Sequence, residues 1–87
     1  MDTKTGRIIR RFKETVLENG YTYRQFWLRT VEQKPQDIRF QLSGDKCTLI
    51  DDIDHELILV TYTISGEAKE HRDTLYNNIN AIAIERV

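Results

Sequence analysis

The chain has a single cysteine, Cys47, in 87 residues, so no disulfide can form within it. It has one proline, four glycines and three alanines, too little alanine for a chain built of long helices. No hydrophobic run approaches the roughly 20 residues of a membrane span. The first residues, Met1 to Gly6, lack the apolar core of a signal peptide, which makes the cytoplasm the expected compartment. Neither charge is in excess: Lys plus Arg is 13, Asp plus Glu is 14, and the net charge is -1. That excludes a polycation binding nucleic acid through bulk charge alone. There is no Gly-x-Ser-x-Gly elbow and no phosphate-cradling glycine loop, and Cys47, His55 and His71 have no zinc spacing. The residues therefore point away from an enzyme, and no cofactor or metal site is read.

What is present favours strands. Ile occurs ten times, Thr nine and Val four, and β-branched side chains pack well on a pleated sheet. The expected strands are Gly6 to Phe12, Tyr23 to Val31, Asp37 to Ser43, Leu57 to Ile64 and Ile79 to Arg86. Ile38, Phe40 and Leu42 alternate with Arg39, Gln41 and Ser43, the period of a half-buried strand. Gly44-Asp45 breaks the third strand, and Asp45 is placed to cap a short helix running to Ile53, with Cys47, Ile50 and Ile53 on its buried side. Gly66 to Tyr76 reads as a polar loop of eleven residues. Three strands, a short helix, then two strands is the order of a mostly all-β, five-stranded Greek-key barrel with its helix between strands three and four, the oligonucleotide/oligosaccharide-binding (OB) fold. One such domain over residues 1–87 is expected. A domain this small buries only about 60 to 65% of its unfolded surface, which gives self-association into a homodimer a stabilising role.

Three segments carry a resemblance: Gly6-Arg7-Ile8-Ile9, Gln25-Phe26-Trp27-Leu28-Arg29-Thr30, and Phe40-Gln41-Leu42-Ser43-Gly44-Asp45-Lys46. With Val60 to Ile64 and Ile79 to Ile82 they make the chain resemble a family of small single-OB-domain bacterial proteins of poorly known function. That family is similar to single-stranded-DNA-binding and primosomal OB proteins, so the resemblance implies nucleic-acid binding, DNA before RNA, and a link to DNA replication. Members usually carry Trp before Gly-Asp-Lys and after the Ala of the last strand, where this chain has Ser43 and Ile82. The stacking platform of such relatives has here moved or been lost.

Single-strand binders need aromatic faces for the bases and cations along the backbone. Alternation puts Tyr23, Gln25, Trp27 and Arg29 on one face of the second strand, with Arg39 and Gln41 beside them on the third. The flanking loops add Lys13, Tyr21 and Arg24, then Lys69, His71, Arg72 and Tyr76. The expected nucleic-acid-binding residues are Tyr23, Arg24, Trp27, Arg29, Arg39, Gln41, Lys69 and Arg72. Trp27 is equally suited to packing an interface. Phe12, Phe26, Phe40 and Tyr62 read as core, and Arg7, Arg10, Arg11 and Lys13 as a solvated basic stripe. Asp51-Asp52-Ile53-Asp54-His55-Glu56 lacks the glycine and spacing of a calcium loop and reads as a solvated turn or partner-facing patch.

The charge is uneven. Residues 1–46 hold ten basic against six acidic side chains, a net of +4, and residues 47–87 three against eight, a net of -5. A nucleic-acid surface must therefore be local. The alternative reading is a structural or protein-interaction adaptor that meets a protein partner through its acidic second half, since OB barrels serve many purposes.

Overall fold

A computed structural model describes residues 1–69 and 74–87. Six strands form one sheet: β1 (Asp2–Arg11), β2 (Thr15–Val16), β3 (Thr22–Thr30), β4 (Asp37–Ser43), β5 (Ile58–Lys69) and β6 (Thr74–Arg86). A 3₁₀ helix, Gly44–Ile50, follows β4. β1 pairs with β5 through its first half and with β3 through its second, and the sheet closes as β1–β3–β4–β6–β5–β1. All pairings are antiparallel except β4 with β6. This is the five-stranded OB barrel that the strand order implied, with the two-residue β2 added at the edge of β3. Among the described residues no helix is long and apolar enough to cross a membrane.

The interior follows the alternation. Phe26 and Leu28 of β3, Phe40 and Leu42 of β4 and Ile58 and Val60 of β5 are fully buried. Phe26 stacks on Phe40 at 5.5 Å between ring centres, and Tyr62 meets Phe40 edge-on at 5.3 Å. Cys47 and Ile50 of the 3₁₀ helix are buried with this cluster. Burial pushes the Cys47 thiol above its ordinary pKa, which suits a small hydrophobe rather than a reactive thiol. Thr30, the one buried polar residue among those described, accepts the Gln36 N–H at 2.9 Å and so holds the turn that contains Pro35.

Four expectations are corrected. The helix is 3₁₀, ends at Ile50 rather than Ile53, and is preceded by Ser43 with no side-chain cap, so Asp45 does not cap it. The three-residue recurrence of Cys47, Ile50 and Ile53 matches the 3₁₀ period of three residues per turn. The eleven-residue loop is mostly strand: β5 continues to Lys69 and β6 starts at Thr74. From Thr63 onward β5 pairs only with β6, and a two-stranded arm outside the barrel needs no apolar alternation. β1 begins at Asp2 rather than Gly6, and Phe12 lies beyond its end, half-buried and outside the core.

Gly6 is where β1 changes partners, lying opposite both Ile58 and Thr30. A Cβ there would run into the Arg29 carbonyl. Gly6→Ala is expected to cost about 1–3 kcal/mol, the usual range for overpacking. Thermal unfolding checks this: each kcal/mol lowers the midpoint of a domain this size by about 4–8 °C.

Candidate nucleic-acid interface

The outer face of β1, β3 and β4 is a grid set by register. On β3 and β4, Tyr23 lies opposite Ser43, Gln25 opposite Gln41, Trp27 opposite Arg39 and Arg29 opposite Asp37. On β1 the register slips between Ile8 and Arg10. This bulge places Arg10 opposite Trp27 and Arg11 opposite the buried Phe26. The basic stripe expected on β1 is thus divided, with Arg7 and Arg10 outside and Arg11 turned to the barrel end. There Arg11 donates to the carbonyls of Ile50 at 3.0 Å and Ile53 at 2.6 Å.

Trp27 sits mid-grid, half-buried. The edge-on Phe12 ring is 5.4 Å from it, and the Arg10 guanidinium lies 5.1 Å from the Trp27 ring centre and 4.7 Å from that of Phe12. Such cation–π contacts are worth about 0.5–1 kcal/mol where exposed, a preference of about two- to fivefold for one ring orientation. A shallow hollow beside Trp27 is lined by Asp37, Ile38 and Arg39. Next to it the sheet opens: β4 and β6 share the single ladder pair Gln41–Asn80, and a groove of about 370 Å³ lies between them.

Of the expected residues, Tyr23, Trp27, Arg29, Arg39 and Gln41 share this face. Arg29 is engaged there, donating through Nε and Nη2 to both Asp37 carboxylate oxygens at 2.8 and 3.1 Å. That fork holds the Asp37 carboxyl below the usual aspartate range. Arg24 is not in a loop and does not join the group. It lies on the inward side of β3, donating to the carbonyls of Phe12 at 2.7 Å and Cys47 at 3.1 Å and to Asp51. Lys69 ends β5, but its side chain, like all of Arg72 and His71, lies outside the described residues. The sequence reading missed Arg10 and Phe12 as partners of Trp27. The signal available was Arg-Arg-Phe at a strand end, but strict alternation sends Phe12 to the core and only the bulge reverses it.

The acidic turn is an ion-pair hub. Asp51 pairs with Arg24, Asp54 with Arg11 at 3.7 Å, and Arg86 with both Asp52 and Glu56. Hydrogen bonding from Arg86 holds the Asp52 carboxyl below its ordinary pKa. Lys4 pairs with Glu32. Among the described residues Arg7, Arg10 and Arg39 make no ion pair, so the outer face keeps uncompensated positive charge around Trp27.

Because the folded-state pKa of Asp37 is depressed, its pairing with Arg29 is present at neutral pH and is lost as pH falls through that lowered value. A carboxyl-detected NMR titration should place Asp37 below an ordinary aspartate. Arg29→Gln should return it to the ordinary range while leaving the chemical shifts of the core unchanged.

The family model described as a domain of unknown function, DUF3127, matches residues 4–85, and the chain belongs to that family. No curated protein matches it. Among solved structures it is similar to Rim1, a mitochondrial single-stranded DNA binding protein from S. cerevisiae. The TM-score is 0.78 at 12% identity, over 99% of this chain and 92% of Rim1. At that identity the likeness establishes the fold.

Proposed function

We propose that this DUF3127 member is a non-catalytic OB module, one domain over residues 1–87, that binds single-stranded nucleic acid, DNA in preference to RNA, across the outer face of β1, β3 and β4. The observation that carries this reading is the row Arg10–Trp27–Arg39. An indole held at mid-sheet between two arginines, neither of them in an ion pair among the described residues, offers a stacking face with phosphate contacts on either side. Tyr23 extends the aromatic track, and Gln41 and Arg7 extend the polar border. Arg29 and Asp37 form a neutral unit within it. The solved likeness to a single-stranded DNA binding protein supports the same reading. The preference for DNA follows the solved likeness, which is to a single-stranded DNA binding protein.

The adaptor alternative would use the acidic second half as its contact surface. Asp51, Asp52, Asp54 and Glu56, four of the eight acids in that half, already have arginine partners within the chain, so the turn they form has less free charge to offer a partner.

The test is a titration with labelled oligo-dT that follows Trp27 fluorescence at two salt concentrations. Quenching is expected, and contacts from Arg7, Arg10 and Arg39 predict a slope of log affinity on log salt of about -2, using about 0.7 per neutralised phosphate on single strands. Trp27→Ala should abolish the quenching and weaken binding by about 1–3 kcal/mol, the worth of one stacked base. No binding at low salt sinks the proposal. A Trp27→Ala protein that binds normally but changes oligomeric mass shows that the indole packs an interface instead.

A further inference from the structure

We infer that the groove between β4 and β6 reads nucleobase edges and gives the module a preference for purines. The inference rests on the single-strand reading and adds a base-selecting site to it.

The groove exists because the barrel closes weakly there. Only Gln41 and Asn80 pair across β4 and β6. Beyond them, Asp37–Phe40 on one side and Asn77–Ile79 on the other leave a space of about 370 Å³, within the range of small-ligand sites. Ile38 and Ile79, both partly buried against the core, supply apolar surface for the flat face of a base. Four lining residues carry carboxamides, Gln25, Gln41, Asn77 and Asn78, with Asp37 and Arg39 beside them; strand alternation sends Asn77 to the face opposite Asn78. Among the described residues these four side chains make no hydrogen bond to the protein, whereas the neighbouring Asn80 donates to Ser65 at 3.1 Å. They retain donors and acceptors for a ligand.

A phosphate would find no cation here except Arg39, so the backbone is a poor occupant. A base is a good one. A carboxamide presents a donor and an acceptor side by side, which matches the N6–H and N7 of adenine, and a guanidinium matches the O6 and N7 of guanine. On a single strand a carboxamide also matches the free Watson–Crick edge of any base, but only purines add the second, N7 edge and a second ring to cover Ile38 and Ile79. Arg39 lines this groove and also the hollow beside Trp27, so a strand stacked on Trp27 passes directly to the carboxamides.

The experiment compares equal-length oligo-dA, oligo-dT, oligo-dC and an abasic oligomer by fluorescence anisotropy at one salt concentration. Oligo-dA is expected to bind about tenfold tighter than oligo-dT, the discrimination of one good bidentate contact. In the double variant Gln25→Met, Gln41→Met, and separately in Asn78→Ala, the preference should shrink while the salt slope stays unchanged, because phosphate contacts are untouched. Circular dichroism checks that these outward-facing substitutions leave the fold intact. Equal affinities for oligo-dA and oligo-dT overturn the inference and leave single-strand binding standing. A preference that survives in both variants assigns selectivity to stacking on Trp27 and overturns it too. Failure of every oligomer to bind overturns the single-strand reading, and this inference with it.

Discussion

A sheet becomes a barrel only where a strand bridges the two strands that would otherwise be its free edges. In this chain β1 does that, and its change of partner depends on Gly6. Opposite Ile58 on one side and Thr30 on the other, Gly6 lets two backbones approach more closely than any side chain allows. Everything downstream on β1 inherits its position from this crossing. The bulge after Ile8 then shifts the alternation by one residue, which sends Arg10 to the outer face and Arg11 to the barrel end. Closure of the barrel and composition of the outer face are thus two results of one strand's path.

The second organising effect is the sorting of charge. The basic first half and acidic second half fold onto each other at one end of the barrel. Arg11 of β1, Arg24 of β3 and Arg86 of β6 converge on the turn from Asp51 to Glu56. Exposed pairs of this kind contribute little stability singly. Their larger consequence is subtraction: they pair four acids and three arginines at the barrel end, so among the described residues the cations remaining near Trp27 face no compensating acid except Asp37, which Arg29 takes up. A net charge of -1 conceals an outer face that is locally positive.

The fold was legible because its signals were strong and local. The alternation of Ile38, Phe40 and Leu42 against Arg39, Gln41 and Ser43 fixes the face of β4, and antiparallel pairing carries that to Trp27 on β3. What was not legible lies where alternation fails or has no work to do. A bulge adds one residue without a composition cue, so Phe12 read as core and Arg10 as an ordinary surface charge. Thr63 to Gly66, where the β5–β6 arm begins, are all exposed, so the arm has no alternation at its start and the sequence beyond looked like a loop. Arg24 falls on the inward side of β3, but a charged residue between Tyr23 and Gln25 reads as surface unless the buried carbonyls that receive it are known. The carboxamide groove was hidden for a different reason: Gln25, Gln41 and Asn78 lie on three strands, and only the thin contact between β4 and β6 brings them together.

Arg24 links the acidic turn at the barrel end to the outer face through a run of contacts. Its side chain accounts for the Phe12 carbonyl, the Cys47 carbonyl and Asp51 together. Phe12 in turn packs edge-on against Trp27, and Arg10 covers both rings. The sequence of contacts runs from the acidic turn, through Arg24, to the backbone of Phe12 and then to the indole. A stacking platform is useful only if its ring is held in one orientation before the base arrives, since each unheld rotamer costs affinity. On the proposed function, packing within the chain and stacking on a base are compatible for Trp27: the contacts with Phe12 and Arg10 bias the ring toward one orientation, and a ring so held suits a platform. On the proposed function Arg24 belongs to the site as a positioning residue, although it points away from any ligand.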